Sequence, residues 1–349
     1  MAATKLKTAV LGINDFSLLI LDSLVKIDYF QLSAVADINT EKAQRIASKY
    51  KCNYYDDYRQ LIIQGKFDCI IAAAPLHNCI EHIKTALKKK FNVLKTAPPG
   101  RNFEEAMTLT SLAEREKVRF AVINPYRSAQ SFINFSRLIG ERGKIFLIDA
   151  NCFRENKEGK KNWVSDRQLA GGGVILYDCY QIIDQLVSNF DLPQQVYSLT
   201  SNRAPDRKQR YYLTEDTALL TMKFSDTRFA HITASNRPAA AASDTEVIRV
   251  HTNGEIISAT PDSFTISKGN GTVIEHSRYR DKPAKWISQF LENFALSIIS
   301  PDQHKLLSPA KENLKNMALI ESAYLSARTA MPEQPGKILQ LADLQILSP

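Results

Sequence analysis

The sequence predicts an α/β protein: an N-terminal doubly wound domain on a parallel sheet, then an α+β domain with an open, mainly antiparallel sheet. Three observations carry this. Up to residue 124, short apolar runs alternate with stretches whose apolar residues recur at helical spacing, the rhythm of βαβ units. Beyond it, strand-length runs follow one another with few long helices between. The 349-residue chain is also too long for one ordinary core and comfortable for two. The expected domains are 1–124 and 125–349, with the C-terminal helix able to pack back on the first.

In the first domain "KTAVLGI" (7–13), "QLSAVAD" (31–37), "FDCIIAAAP" (67–75), "FNVLK" (91–95) and "RFAVIN" (119–124) read as strands. Between them "FSLLILDSLVKI", "NTEKAQRIASKY", "IEHIKTALKKK" and "FEEAMTLTSLAEREK" have helical periodicity. Asn39 and Asn102 stand where N-caps belong, each followed two residues later by an acid. In the second domain "GKIFLIDANCF", "QQVYSLTSN", "DTALLTMKFS", "RFAHITASN", "TEVIRVHT", "GEIISAT" and "DSFTISKG" read as strands. Asn253-Gly254 marks a hairpin turn. Helices are expected over 174–189, 282–299 and 309–327, the last opened by Ser308-Pro309.

The fractions of 44% hydrophobic and 23% charged residues are those of a soluble globular chain, and no apolar run approaches the ~20 residues of a membrane span. The apolar run after Lys7 is cut by Asn14 and Asp15, too early for an export signal, so a cytoplasmic location is expected. Five widely spaced cysteines without a C-x-x-C pair predict reduced thiols and no metal site. The net charge of +8 concentrates in Lys88-Lys89-Lys90, which suits a helix C-terminus, and in a polar loop from Lys157 to Lys161. Neither run comes with a nucleic-acid motif, so no nucleic-acid partner is expected.

The first strand, turn and helix, with Asp37 ending the next strand, have the layout that seats a dinucleotide pyrophosphate at a helix N-terminus and its ribose on an acid. The glycine fingerprint is reduced: Gly12 keeps the first position, while Asn14 and Ser17 replace the other two glycines. A side chain at Asn14 must either swing aside or meet the phosphate. Asp37 favours NAD by repelling a 2′-phosphate, although Ile38 and Asn39 neither add nor exclude an NADP site, and Asp37 also suits a cap for the following helix.

Taken together, the order of motifs resembles the Gfo/Idh/MocA family, the glucose-fructose oxidoreductase and inositol dehydrogenase group. The matching residues are Gly12–Ser17, Asp37, "DDYRQLI" (56–62), "AAAPLHNCIEH" (72–82), "NVLKTAPPG" (92–100), "NPYR" (124–127), "AGGGVILYDCYQIIDQL" (170–186), "TEDTA" (214–218) and "ENLKNMALIESAYLSARTAMP" (312–332). The resemblance implies a Rossmann domain, and an α+β domain whose sheet builds homodimers or homotetramers. It also implies hydride transfer between nicotinamide and a secondary alcohol or carbonyl of a sugar or cyclitol. The cofactor residues it implies are Gly12, Ile13, Asn14, Asp37, Ala74, Pro75, His77, Lys95, Pro98 and Asn124.

The proton-handling residues that the family uses, a lysine, an aspartate and a histidine, fall on Ala97, Tyr177 and Gln181, while Asp184 is retained. Cys79 stands where many members have a histidine. A hydroxyl proton still has to move with the hydride. Lys95 lies two residues before Ala97, on the same side of an extended strand, and Tyr177 carries a phenol. The catalytic candidates are therefore Lys95, Tyr177 and Gln181, against the alternatives that Lys95 pairs with a carboxylate and Tyr177 packs on the inner face of helix 174–189. Asp178 falls one residue out of register, about 100° around that helix. Three functions fit: an NAD(P)-dependent oxidoreductase with altered acid–base residues, a non-catalytic dinucleotide- or sugar-binding sensor, or a scaffold that has lost both ligands.

Overall fold

In the computed structural model, residues 5–141, 144–154, 162–203, 207–224, 227–237, 245–280 and 282–346 are described; the basic run at 157–161 lies outside them. Residues 1–100, 104–125 and 282–313 form one compact unit, and 101–103, 126–281 and 314–349 another.

The first unit holds a six-stranded sheet of β1 (Leu6–Leu11), β2 (Phe30–Ala36), β3 (Asn53–Tyr55), β4 (Cys69–Ala72), β5 (Asn92–Thr96) and β6 (Phe120–Ile123) in the order β3-β2-β1-β4-β5-β6. Every pairing is parallel. Helices α1 (Asp15–Leu24), α2 (Thr40–Tyr50), α3 (Tyr58–Gln64), α4 (Leu76–Lys88) and α5 (Phe103–Glu116) make the crossovers. All four residues of β4 and all four of β6 are buried, which is why these strands read as continuous apolar runs rather than alternating ones. The order reverses between β1 and β4, so the carboxyl ends of these strands flank the crevice where such sheets bind ligands.

One helix of this unit comes from far along the chain. Phe290, Leu291 and Phe294, from the helix Pro283–Ile299, join Val10, Ile20, Leu21 and Leu24 in one core. Its return is fixed at β6, where Asn124 Nδ2 donates to Ser308 Oγ (2.7 Å) and Asn313 Oδ1 (3.1 Å). A single cut after residue 124 would place 282–313 in the second domain; its contacts place it in the first.

The second unit is an eight-stranded mixed sheet of β7 (Ile145–Phe153), β8 (Gln195–Ser201), β9 (Thr217–Lys223), β10 (Phe229–Ser235), β11 (Thr245–Thr252), β12 (Glu255–Ala259), β13 (Ser263–Lys268) and β14 (Val273–Arg278). Among the described residues only β7 and β10 pair in parallel; the Asn253-Gly254 turn joins β11 to β12 as expected. Its helices are α6 (Gln130–Glu141), α7 (Asn162–Ser165), α8 (Arg167–Ala170), α9 (Tyr180–Phe190) and α10 (Arg207–Tyr212); the chain closes with α11 (the Pro283–Ile299 helix above), α12 (Ala310–Thr329) and α13 (Pro335–Ile346).

The expected helix over 174–189 is corrected. It begins only at Tyr180, because Gly173 N and Ile175 N donate to the Glu215 carboxylate at 3.0 Å and hold residues 174–178 in turns. Tyr177 and Asp178 are therefore turn residues, not helical ones. Elements β3, α3, α6, α7, α8, α10, β14 and α13 appear in addition to those expected. The strand β3 has three residues, and β14 is an edge strand with Val273 and Ile274 exposed, so neither shows the burial pattern that marks a strand.

Candidate cofactor and substrate sites

The cofactor candidates gather along the carboxyl edge of the parallel sheet. Gly12 follows β1 with φ +84°, and a Cβ there would come within 2.4 Å of the Ala74 backbone. Only glycine permits both that conformation and that approach. Asn14 then caps α1: its Oδ1 accepts from Ser17 N (2.9 Å), and Ser17 Oγ accepts from Asn14 N (2.8 Å). The Asn14 amide donates to Ala73 O at 2.8 Å, so the side chain swings aside and is satisfied without a ligand. The lost glycines have become a capping box, which takes up Asn14 N and Ser17 N and leaves the helix dipole and the other first-turn N–H groups for an anion.

Asp37 is nearly buried at the end of β2, with Oδ2 accepting from Ile13 N (2.7 Å) and Oδ1 from Asn39 N (3.0 Å). The cap of α2 is Asn39, whose Oδ1 accepts from Lys42 N, so Asp37 does not serve as that cap. The Lys42 ammonium donates to Ile13 O and braces the same turn. Ala74 and Pro75 lead into α4, with His77 in its first turn and Pro98 just past β5. These residues fit a dinucleotide: a close backbone approach, a helix N-terminus and a carboxylate at the ribose end.

Lys95 is buried near the end of β5, its Nζ donating to Thr96 O (2.7 Å) and Thr96 Oγ1 (2.9 Å). Burial holds its amine below the usual lysine value, opposed by the Cys79 thiol beside it. The same burial raises Cys79, whose Sγ donates to Ala74 O. Ala97 presents only a methyl group, and Asn124 is engaged with Ser308 and Asn313.

In the second unit, the glycine turn carries the substrate-side candidates. A Cβ on Gly172 would strike the Tyr324 hydroxyl at 2.0 Å, and one on Gly173 would strike Glu215 O at 2.0 Å. Glu215 is the organiser that sequence reasoning missed: besides two backbone N–H groups, its carboxylate accepts from Tyr324 OH at 2.8 Å. Burial raises its pKa, against the hydrogen bonds it accepts. The only sequence signal was its place in "TEDTA", beside Asp216.

The Tyr177 hydroxyl donates to Ala170 O at 2.7 Å, and its ring meets Trp163 edge-on. Gln181 lies in the first turn of α9, half-buried. Arg127 forms a bidentate pair with fully buried Asp184 at 2.8 Å on each arm, and Asn316 Nδ2 donates to the same carboxylate. Arg127 is thus bound into the packing of this unit. His82 and His251 are likewise structural, His82 edge-on to Tyr58 and His251 bonded to Asp149. None of the five cysteines is in a disulfide, and no helix among the described residues is long and apolar enough to cross a membrane.

A family model described as "Oxidoreductase family, NAD-binding Rossmann fold" matches residues 6–124. Its companion, "Oxidoreductase family, C-terminal alpha/beta domain", matches 137–334. The chain belongs to this Gfo/Idh/MocA oxidoreductase family. Solved structures share the fold over nearly the whole length. An oxidoreductase from Agrobacterium radiobacter, in complex with NAD+, L-tartaric acid and magnesium, aligns with TM-score 0.82 and 14% identity over 96% of this chain and 100% of its own. Levoglucosan dehydrogenase with NADH and levoglucosan gives 0.82 and 14% over 95% and 99%. The aldose-aldose oxidoreductase from Caulobacter crescentus, complexed with glycerol, gives 0.81 and 16% over 95% and 99%.

Proposed function

We propose that this protein binds NAD(H) along the carboxyl edge of the β1–β6 sheet and exchanges a hydride with a sugar- or cyclitol-like secondary alcohol or carbonyl. The observation that carries this reading is the cradle: Gly12 against Ala74, the N-terminus of α1 with its Asn14 cap turned aside, and the Asp37 carboxylate. Family membership favours an oxidoreductase over a non-catalytic sensor. Bound nicotinamide supplies the hydride chemistry; the chain has to position the ring and handle the hydroxyl proton.

For the proton, the reading assigns Lys95. Its lowered amine pKa lies nearer the working pH of a general acid–base, and it offers a proton from the strand end that precedes Ala97. Tyr177 would have to release Ala170 O to donate elsewhere, and Gln181 can hydrogen-bond a hydroxyl but cannot take its proton. These two are assigned to holding substrate. The first unit carries the cofactor role and the second the substrate role, with the open sheet face pairing copies into a cytoplasmic homodimer or homotetramer. Leu199, Leu219 and Phe229, exposed on β8, β9 and β10, support that pairing.

The test is fluorescence titration of the purified chain with NADH, then oxidation of NADH across a panel of keto-sugars and keto-cyclitols. Saturable binding and turnover that Lys95→Met reduces at least ten-fold are expected. Binding with undiminished turnover in that variant removes Lys95 from the mechanism; no binding removes the whole reading.

A further inference from the structure

We infer that the substrate side of the second unit recognises an oxyanion, so that the substrate is a polyol bearing a carboxylate or phosphate. The inference rests on the reading of this unit as the substrate domain and narrows its substrate class.

Three arginines stand just past the carboxyl ends of three strands: Arg154 after β7, Arg203 after β8 and Arg237 after β10. The strands β7 and β10 run parallel, and β8 and β10 are both antiparallel to β9, so all three ends share one edge of the sheet. The turn carrying Tyr177 is tied to that edge, since Asp178 O accepts from Cys152 Sγ at 3.1 Å and Asp178 Oδ2 from Asn236 Nδ2 at 3.0 Å.

Each arginine is gripped in the same way. Glu246 Oε1 meets Arg154 at Nε; Asp216 meets Arg237 Nε at 2.7 Å and Arg203 Nε at 3.4 Å. The acids lie behind, with side chains 3% and 16% exposed, while the arginines remain 42%, 38% and 52% exposed. Contact through Nε orients a guanidinium so that its terminal nitrogens can fork onto an oxyanion; Arg237 Nη2 also donates to Ser201 Oγ at 3.3 Å, a long bond that an oxyanion would replace. The part-exposed pairs of Asp216 with Arg203 and Arg237 add little stability, whereas Arg154 also compensates the buried Glu246, so its variant is read together with a thermal melt.

The test is calorimetry on the full chain, with and without NADH, titrating D-glucuronate, D-glucose 6-phosphate, D-glucose and myo-inositol. One of the anionic ligands is expected to bind at least ten-fold more tightly than either neutral one, weakening as salt rises; which anion wins separates carboxylate from phosphate. Arg154→Gln and Arg237→Gln should each weaken it about ten-fold, and Arg154→Lys, which keeps the charge without the fork, by less. Thermal melts identify any variant that fails to fold, and Arg203→Gln then takes its place. Neutral ligands binding as tightly, no anionic sugar binding, or folded arginine variants with unchanged affinity would each overturn the inference. Failure of NADH to bind, with the anion preference intact, would instead remove the cofactor reading alone.

Discussion

The cofactor edge of the first unit and the glycine turn of the second are held by opposite means. At Gly12 the main chain makes the site: a positive φ, a backbone-to-backbone approach at Ala74 and two N–H groups on Asp37. Around Gly173 the side chains make it: Glu215 organises the turn, Tyr324 braces Glu215, and Asp184 holds Arg127 and Asn316. A site built from backbone tolerates changes of side chain, which is how Asn14 and Ser17 can replace two glycines by capping the helix. A site built from buried side chains changes its chemistry when they change.

The contrast can be broken most sharply at Gly12. Gly12→Val adds a branched side chain at φ +84° against Ala74, and is expected to abolish NADH binding, at least 100-fold by fluorescence titration. Next, Asp184→Ala strands the mostly buried Arg127 charge and is expected to cost about 3–5 kcal/mol in urea denaturation. Asn14→Ala, by contrast, removes one cap and should cost only about 1 kcal/mol, with NADH affinity changed no more than a few-fold. A loss as large as that of Asp184→Ala would erase the distinction between the two regions.

The smallest effect expected is a pH dependence at Lys95. Its amine is below 10.5 in the folded chain, so between the folded value and 10.5 the unfolded chain binds the extra proton and stability rises with pH. Denaturation of wild type and Lys95→Met at a series of alkaline pH values should show wild type gaining on the variant up to about 10.5, the unfolded lysine value. A constant difference would mean that the amine is not held low.

Much of the fold was legible because it rests on period. Buried parallel strands such as "CIIA" and "FAVI" read as apolar runs, and Asn253-Gly254 fixed a hairpin by its turn chemistry alone. The start of α9 was not legible, since the apolar pattern from Val174 onward continues into it and only the pull of Glu215, some 40 residues away, keeps 174–178 in turns. Tyr177 was legible as a phenol near the site, but its bond to Ala170 O, which weakens its claim as an acid, was not.

By itself, then, the sequence determined the two kinds of sheet and the strand–turn–helix that opens the chain, with Asp37 ending the next strand, because local propensity, period and motif spacing are written in neighbouring residues. Only the tertiary structure decided that the helix Pro283–Ile299 completes the first core, that Asn14 turns away to cap α1, and that three arginines share one sheet edge. Those facts depend on contacts between residues far apart in the chain, and a polar side chain carries no signal of its partner until folding brings the two together.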